Sequence, residues 1–412
     1  MKKEKTVYVW ENWTSALPQP VGELYIENLR GRETYSFSFN QSFLARVPVR
    51  IDPELELYPG RQYTADGSLF KAFADACPDR WGRTLMKRRE ALRAEKENEK
   101  PRKLLESDYL LGVYDEGRMG GFRFSLKKEG SFLSDDAAIA VPPMEDLRNL
   151  EAASRKLADG DDEIGKWLSM LLAPGSSLGG ARPKATVKDT DGALWIAKFP
   201  SLRDERDVGA WEMVAHELAR LCGLSVPEAK TAVFSKQGTT FLVRRFDRAK
   251  NKRIHFASAM TMLNRTDGDH DASYLEIAEF LSENGTEPQK DIEELWKRIV
   301  FSMLVSNIDD HLRNHGFLLD GNGWRLSPLY DVNPVPEGTM LSLSIDMDNK
   351  ELSLELAEDV SPLYGLGKKA ARSVIISMKK IVAENWSTIA SNLGIQQSEI
   401  RQMAPAFQLC TF

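Results

Sequence analysis

The sequence predicts an α+β fold in which strands and turns dominate the first part of the chain and helices dominate the last. Three strand-like runs near the N-terminus support this prediction, namely Val7–Trp10, Val21–Ile26 and Tyr35–Phe39. Beyond residue 175 the pattern changes to strand, helix, strand and then mostly helix. We therefore expect a small α+β domain over residues 1–130, followed by a region rich in helices.

Length and composition limit the classes of protein to consider. A chain of 412 residues is expected to form two or three domains. With 42% hydrophobic and 28% charged residues it has the composition of a globular protein. No run approaches the roughly 20 apolar residues of a membrane span. The charged N-terminus leads directly into a predicted strand rather than an apolar signal segment, so a cytoplasmic protein without membrane association is expected.

Cysteine usage and charge exclude two further classes. Cys77, Cys222 and Cys410 are odd in number and far apart, which argues against both a disulfide framework and a zinc site. The formal net charge of −6 argues against a broad nucleic-acid surface. One local basic cluster is interpreted as the solvated face of a helix. It consists of Arg80, Arg83, Lys87, Arg88 and Arg89.

Domain boundaries follow from the patterns between these regions. A helical segment is predicted from Ser68 to about Glu97, and turn-forming residues between about 127 and 145 predict a linker. The predicted domains are residues 1–130, 145–250 and 251–412.

The most informative segment runs from Ser306 to Asp320. It follows a predicted apolar helix and precedes a predicted hairpin, whose second strand is expected to run from Trp324 to Tyr330, directly before Asp331. Asp309 and Asn314 have the D-x-x-x-x-N spacing of a protein-kinase catalytic loop. The order helix, loop, hairpin and second aspartate is much more specific than the loop spacing alone.

Phosphoryl transfer requires this set of side chains. One carboxylate must accept or orient the proton of the acceptor hydroxyl, and a second carboxylate with another oxygen ligand must hold Mg²⁺ against the triphosphate. Asp309 is predicted to be the base, and Asn314 and Asp331 the metal ligands. Asp310 is the competing candidate for the base, but it is only four positions from Asn314.

Two upstream segments would complete such a site. Trp195–Lys198 is predicted to end a strand and resembles the V-A-I-K motif, whose lysine contacts the α- and β-phosphates. Glu212, on the following predicted helix, is either the partner of Lys198 or an exposed residue, and the pattern leaves both open. The glycine-rich stretch 175–185 matches neither standard phosphate-binding motif and alone would indicate a turn.

Taken together and in this order, these segments resemble the HipA-type serine/threonine kinases, the toxin half of bacterial toxin–antitoxin modules. The resemblance extends over nearly the whole chain, including Val21–Leu24 and Pro78–Arg83 in the first 125 residues. The matching segments in the second part are Ser177–Ala185, Phe241–Arg248, Ser306–Asn314 and Ser327–Asp331.

The resemblance implies a protein-kinase-like two-lobed fold with an N-terminal α+β subdomain and a helix-rich C-terminal lobe. It implies ATP and Mg²⁺ as cofactors and assigns site residues by position. The triphosphate would be held by Gly179, Gly180, Ala181, Arg182, Pro183, Lys184 and Lys198. The adenine would be lined by Arg244, Arg245 and Phe246. The nucleotide would lie along His311, Leu312, Arg313 and Asn314.

Regulation and partners are implied in the same way. In this family a serine of the phosphate loop is autophosphorylated, and Ser177 matches that position, with Ser176 as the neighbouring alternative. The family works with a small helix-turn-helix antitoxin of the HipB type that binds operator DNA, so contact with DNA would be indirect. Its substrates suggest a translation component such as an aminoacyl-tRNA synthetase.

Two other interpretations use the same residues. Small-molecule kinases of the aminoglycoside or choline type share the two aspartates and the asparagine, and a non-catalytic scaffold would inhibit a partner by binding alone. His311 and His315 have the spacing of a helical metal pair, but a kinase site requires no zinc. His216, His255 and His270 are expected to be structural or exposed.

Overall fold

A computed structural model describes residues 3–129, 131–133, 140–159, 168, 171, 180–250, 252–269 and 271–410. Its first helices are α1 (Gln41–Arg46), α2 (Lys71–Ala74), α3 (Arg80–Lys96), α4 (Glu106–Leu111), α5 (Leu147–Asp159) and α6 (Val208–Leu221). The later ones are α7 (Ala259–Met262), α8 (Tyr274–Asn284), α9 (Pro288–Leu304), α10 (Leu354–Val360), α11 (Lys368–Asn392) and α12 (Gln397–Met403). Short 3₁₀ helices cover Met144–Asp146, Ser361–Tyr364 and Ala404–Cys410.

The strands occur singly or in runs between these helices. The first seven are β1 (Lys3–Glu11), β2 (Gln19–Leu29), β3 (Arg32–Phe39), β4 (Gln62–Tyr63), β5 (Phe122–Ser125), β6 (Lys184–Lys188) and β7 (Leu194–Lys198). The others are β8 (Ala229–Ser235), β9 (Gly238–Arg244), β10 (Arg248–Ala249), β11 (Lys252–Arg253), β12 (Phe256–Ser258), β13 (Gly316–Asp320) and β14 (Gly323–Leu326). The predicted α+β class is confirmed.

The chain forms two compact units. The first contains Met1–Phe199 and Arg245–Ala257, and the second contains Pro200–Arg244 and Ser258–Phe412. The domain boundaries predicted from the sequence remain a prediction.

The first unit is built on an antiparallel sheet with the strand order β4-β3-β2-β1-β5. Its core is aromatic: Phe73 lies 5.2 Å from both Phe37 and Phe122, ring centre to ring centre. The three strands predicted near the N-terminus are all present, and each is longer than its apolar pattern indicated.

The helical segment predicted from Ser68 to Glu97 is divided in two, which corrects the sequence interpretation. Helix α2 ends at Ala74 and α3 begins at Arg80. Pro78 lacks a backbone N–H and disfavours helical geometry in the residue before it. Asp79 then begins α3 as its N-cap, since its carboxylate accepts a hydrogen bond from the Gly82 N–H at 2.9 Å.

The hairpin β6–β7 places two lysines directly opposite each other. In its antiparallel register Lys184 pairs with Lys198. Directly opposed residues project to the same face of a sheet. Both lysines are buried, with 4% and 7% of their surface exposed.

The second unit is rich in helices, as predicted. Helix α6 packs against α11 and β9. The ring of Phe407 stacks on Trp386 at 4.4 Å and lies 6.3 Å from Trp211 of α6. None of the described helices has the length and apolar content required to cross a membrane.

The hairpin predicted after the catalytic loop is present in this unit. Strands β13 and β14 pair with Asp320 opposite Gly323, which leaves Gly321 and Asn322 as a two-residue turn. Gly321 has φ +57°, a conformation that favours glycine. Strand β14 ends at Leu326 rather than at Tyr330, because Pro328 cannot donate to a strand ladder.

Candidate active site

The predicted catalytic loop begins where α9 ends. Ser306 has φ +49°, and its hydroxyl donates to the carbonyl of Ala406 at 2.9 Å, so the chain turns sharply just after the helix. Further along, the Asn314 side-chain amide donates to the Asp309 backbone carbonyl at 2.9 Å. This hydrogen bond links the two ends of the D-x-x-x-x-N segment. The side-chain oxygen of Asn314 consequently points away from the Asp309 carbonyl.

The neighbouring carboxylates Asp309 and Asp310 have opposite surroundings. Asp309 is exposed, whereas Asp310 is buried. Asp310 accepts a hydrogen bond from the Tyr274 hydroxyl at 2.6 Å, and its other oxygen lies 2.9 Å from His315 Nε2. Burial acts to raise the pKa of Asp310, but its contacts with His315 and Tyr274 outweigh burial and hold the pKa below its usual range. The Asp310 carboxylate is therefore engaged by Tyr274 and His315, and Asp309 is the carboxylate accessible to a substrate.

The histidines are mostly structural where they are described. His315 is fully buried beside Asp310, and His255 stacks on Trp13 at 4.6 Å. Burial lowers the pKa of His255 to about 3. His216 lies 2.7 Å from the Pro227 carbonyl, and burial lowers its pKa as well. His270 lies outside the described residues.

Asp331 is held beside the catalytic loop by contacts on both sides. The Tyr330 hydroxyl donates to the Arg313 carbonyl at 2.7 Å, and the Asn333 N–H donates to Asn307 Oδ1 at 3.1 Å. Asp331 itself is half-buried with φ +60°, a strained backbone conformation that aspartate tolerates better than most residues. The residues on either side of Asp331 are thus bonded to the loop that contains Asp309 and Asn314.

Asn333 was missed by the sequence interpretation. Its side-chain oxygen is buried and has no hydrogen-bond partner among the described residues. A buried polar atom without a partner is costly and indicates a ligand or water that the site is built to accept. The detectable signal was an amide side chain between Val332 and Pro334, two positions after Asp331.

The side-chain oxygens of Asn314, Asp331 and Asn333 fit a magnesium ion. Mg²⁺ prefers hard oxygen ligands and usually keeps several waters, so it needs only one or two protein carboxylates. Asn314 and Asp331 would supply the direct ligands, and the Asn333 oxygen would accept from a metal-bound water. In the part of the chain that the structure describes, no group of three or more His, Cys, Asp or Glu side chains is arranged to hold a metal.

The predicted triphosphate-binding residues lie in the first unit where they are described. Gly180 and Ala181 are exposed and Arg182 is half-buried, whereas Pro183 and Lys184 are buried. Gly179, Ser176 and Ser177 lie outside the described residues. Lys198 ends β7, as predicted from the V-A-I-K resemblance.

The predicted adenine segment contains a buried charge cluster. Arg244 is exposed and lies 3.1 Å from Glu228, but Arg245 is buried and donates twice to Asp247. The Arg245 guanidinium also donates to the carbonyls of Gly117 and Arg118. With these contacts the Arg245 side chain serves the packing of the segment and is not available to a base, and the Arg245 N–H already donates to the Leu194 carbonyl at 2.9 Å.

Glu212 lies in the middle of α6 and is only 4% exposed. The alternative that it is an exposed helix residue is therefore wrong. Its pairing with Lys198 stays a prediction.

The arrangement of Asp309, Asn314 and Asp331 is typical of kinases. Comparison with known proteins agrees. The sequence profile described as "HipA-like C-terminal domain" matches residues 176–386, about half of the chain. The chain therefore belongs to the HipA-like kinase family.

Individual relatives are distant. A Haemophilus influenzae protein named "Putative kinase" is 25% identical over 256 residues, which cover 55% of this chain and 70% of that protein. "Putative kinase Y4mE" of Sinorhizobium fredii is 25% identical over 254 residues, or 55% of this chain, and the match spans about half of that relative, 53%.

Among solved structures, the fold resembles that of a Shewanella oneidensis MR-1 chain from a complex of HipA, HipB and operator DNA. The TM-score is 0.64 at 15% identity, with 95% of each chain covered. The predicted kinase-like fold is confirmed by this match.

Proposed function

We propose that this protein is an ATP- and Mg²⁺-dependent serine/threonine protein kinase that acts as a toxin of the HipA type. The observation that carries the proposal is the closed catalytic loop, in which Asn314 is bonded to the Asp309 backbone and Asp331 is anchored alongside. Family membership supports the same conclusion, because the profile match includes all three residues.

Each residue has a distinct role in the proposed reaction. Asp309 accepts the proton of the acceptor hydroxyl as the phosphoryl group is transferred. Lys184 and Lys198 place positive charge on the phosphates. Asn314 and Asp331 would hold Mg²⁺, which would supply positive charge for the triphosphate. The Tyr274–Asp310–His315 contacts keep the loop in place without contacting substrate.

A transfer assay tests the proposal. The purified protein is incubated with labelled ATP, Mg²⁺ and a bacterial lysate, and the labelled proteins are identified. A labelled protein that is absent with an Asp309→Asn variant supports the proposal. Transfer to aminoglycosides or choline in place of protein would contradict it and favour a small-molecule kinase.

The proposed partners follow from the same family. The Shewanella relative is seen with HipB and operator DNA. We propose a helix-turn-helix antitoxin for this chain too, with an aminoacyl-tRNA synthetase among the candidate substrates.

Replacement of Asp331 by alanine is expected to weaken Mg²⁺-dependent nucleotide binding by at least about tenfold, because a metal ligand is lost. Calorimetric titration of ATP with and without Mg²⁺ measures this. Asp331→Asn is the matched control for conformation, since asparagine also tolerates positive φ. Equal Mg²⁺-dependent affinity in the wild type and both variants would exclude Asp331 as a ligand.

Ser177 is expected to carry phosphate when the protein is purified from an active expression host. The modification adds about −1.5 to −2 charge to a loop that must bind other phosphates, so it should inactivate the enzyme. Mass spectrometry locates the phosphate. Phosphate found only elsewhere, Ser176 included, would contradict the assignment to Ser177, as would a Ser177→Ala protein that is no more active than the wild type.

The isolated chain is expected to bind duplex DNA weakly at physiological salt. Its net charge is −6, and most non-specific affinity comes from phosphate neutralisation. The basic cluster of α3 is partly occupied: Arg83 forms a bidentate pair with Glu106 at 2.7 Å, and Arg88 donates to the Leu157 carbonyl. Electrophoretic shift assays over a salt series test this. Tight sequence-specific binding by the chain alone would contradict it, and charge reversal at Arg88 would then locate the contact.

A further inference from the structure

Asp79 and Trp81, at the start of α3, contact the residue at which the predicted phosphate loop ends. Lys184 Nζ donates to Asp79 Oδ2 at 2.7 Å, and the Trp81 indole N–H donates to the Lys184 carbonyl at 3.0 Å. The side chains of Asp79 and Lys184 are only 6% and 4% exposed. One residue is therefore held through both its ammonium and its backbone by a helix start about a hundred positions earlier in the chain.

The Asp79–Lys184 ion pair reduces the charge repulsion between the two opposed lysines of the β6–β7 hairpin. Lys184 is directly opposite Lys198, so two ammonium groups share one buried face of the β6–β7 pair. Like charges directly opposite each other destabilise a strand pair. A carboxylate placed beside one of them offsets the repulsion, and Asp79 is that carboxylate.

Lys184 also closes the end of the loop. Its ammonium donates to the Gly180 carbonyl at 3.1 Å as well as to Asp79. An ammonium has three N–H donors. With two of them used within the protein, the segment Gly180–Lys184 is folded back on itself, and one donor remains for a phosphate oxygen.

We propose that Asp79 and Trp81 are positioning residues for nucleotide binding, which act through Lys184 to hold the Gly180–Lys184 segment in the conformation that accepts the triphosphate. The inference rests on the proposed function, since it requires this segment to bind ATP. It gives the start of α3 an indirect influence on the nucleotide site, exerted through Lys184.

Three variants test the proposal. Asp79→Asn retains an oxygen that can cap the Gly82 N–H but removes the charge beside Lys184. It is expected to weaken ATP affinity about tenfold or more, as for loss of a hydrogen bond to a charged group. Trp81→Phe keeps an aromatic ring but removes the indole N–H together with part of the ring volume, and a smaller loss in the same direction is expected. In a Lys184→Gln background, Asp79→Asn should have no additional effect.

Affinity is measured by calorimetric titration of the β,γ-imido analogue of ATP with Mg²⁺, with thermal unfolding recorded for each variant. In transfer assays KM for ATP should rise while kcat at saturating ATP stays near the wild-type value, a split that general destabilisation would not produce. Asp66→Asn, the same chemical change at an exposed turn of this unit, is the matched control and should leave affinity unchanged.

The outcomes separate this inference from the function on which it rests. A wild-type protein that binds no nucleotide would overturn both. A wild type that binds the analogue, with folded Asp79→Asn and Trp81→Phe proteins that bind it equally well, would overturn the positioning role alone. Additive effects of Asp79→Asn and Lys184→Gln would also overturn it, because the two residues would then act independently. If Asp79→Asn does not fold, Trp81→Phe decides.

Discussion

Replacement of Asp309 by asparagine is expected to reduce phosphoryl transfer by roughly 10²–10⁴-fold, the contribution of a positioned general base. The side chain is exposed, so its neutral isostere should disturb the fold little. ATP affinity should be retained, because the Asn314 amide contacts the backbone carbonyl of residue 309 and not its side chain. Initial rates of transfer and calorimetric ATP affinity, measured on the same preparation, check both parts.

Asp310→Asn is the informative comparison for that variant. The chemical change is the same and is made at the next residue, but Asp310 is buried between Tyr274 and His315. We therefore expect a lower melting temperature for Asp310→Asn, and a normal one for Asp309→Asn. An Asp309→Asn enzyme with most of the wild-type activity would show that the assignment of the base is wrong and would turn attention to Asp310.

The second large effect is expected at Asp247, on the stability of the first unit. The Asp247 carboxylate is fully buried and accepts hydrogen bonds from Arg245, Arg248 and the Gly120 N–H at 2.6–2.7 Å. Removing one partner of a buried ion pair typically costs about 3–5 kcal/mol, because the remaining charge is left uncompensated. Asp247→Asn should therefore lower the free energy of unfolding by roughly this amount.

The effect of Asp247 should depend on pH in a defined direction. Burial acts to raise the pKa of this carboxyl, but Arg245 and Arg248 outweigh burial and lower it to about 2. Its unfolded pKa is about 3.9. A lowered folded pKa contributes stability above the unfolded value, and that contribution is lost as the pH falls from about 4 through about 2.

Urea unfolding of the wild type and Asp247→Asn, followed by tryptophan fluorescence, tests this dependence. The difference in unfolding free energy should be constant above about pH 5 and shrink in more acidic solution. The Asp66→Asn protein should differ much less from the wild type, because Asp66 is exposed and the pKa of its carboxyl is lowered only by its hydrogen bonds with Ser68 and nearby charge. A difference that persists unchanged to pH 2 would show that the carboxylate charge is not its cause.

The features that were predicted correctly are local in sequence. The strand ending at Lys198, the helix ending at Leu304 and the hairpin at Gly321 depend on residues within a few positions of one another, so periodicity and turn chemistry were enough. The break at Pro78 was missed because apolar residues continue at helical spacing across it. The proline and the aspartate that follows were the local signal for a new helix start.

Contacts between distant segments could not be predicted. Lys184 was expected to be committed to phosphate, and nothing in a single sequence pairs it with a carboxylate 105 positions away. Arg245 likewise appeared to be a candidate ligand-binding residue, although its guanidinium is used by Asp247 and two backbone carbonyls. Charged side chains can take partners from any part of the fold, and only the tertiary structure selects among them.

The positive φ of Asp331 determines which inactivating mutation the backbone tolerates at this position. Glycine adopts this backbone conformation without strain, and an aspartate codon becomes a glycine codon by a single base change. Such a change would remove the proposed metal ligand while relieving the backbone, so the inactive protein would fold as well as its parent and escape the proteases that clear unstable variants. If the proposed toxin activity harms the host, this position offers a one-step route to a harmless protein that stays abundant and still occupies any partner that binds it.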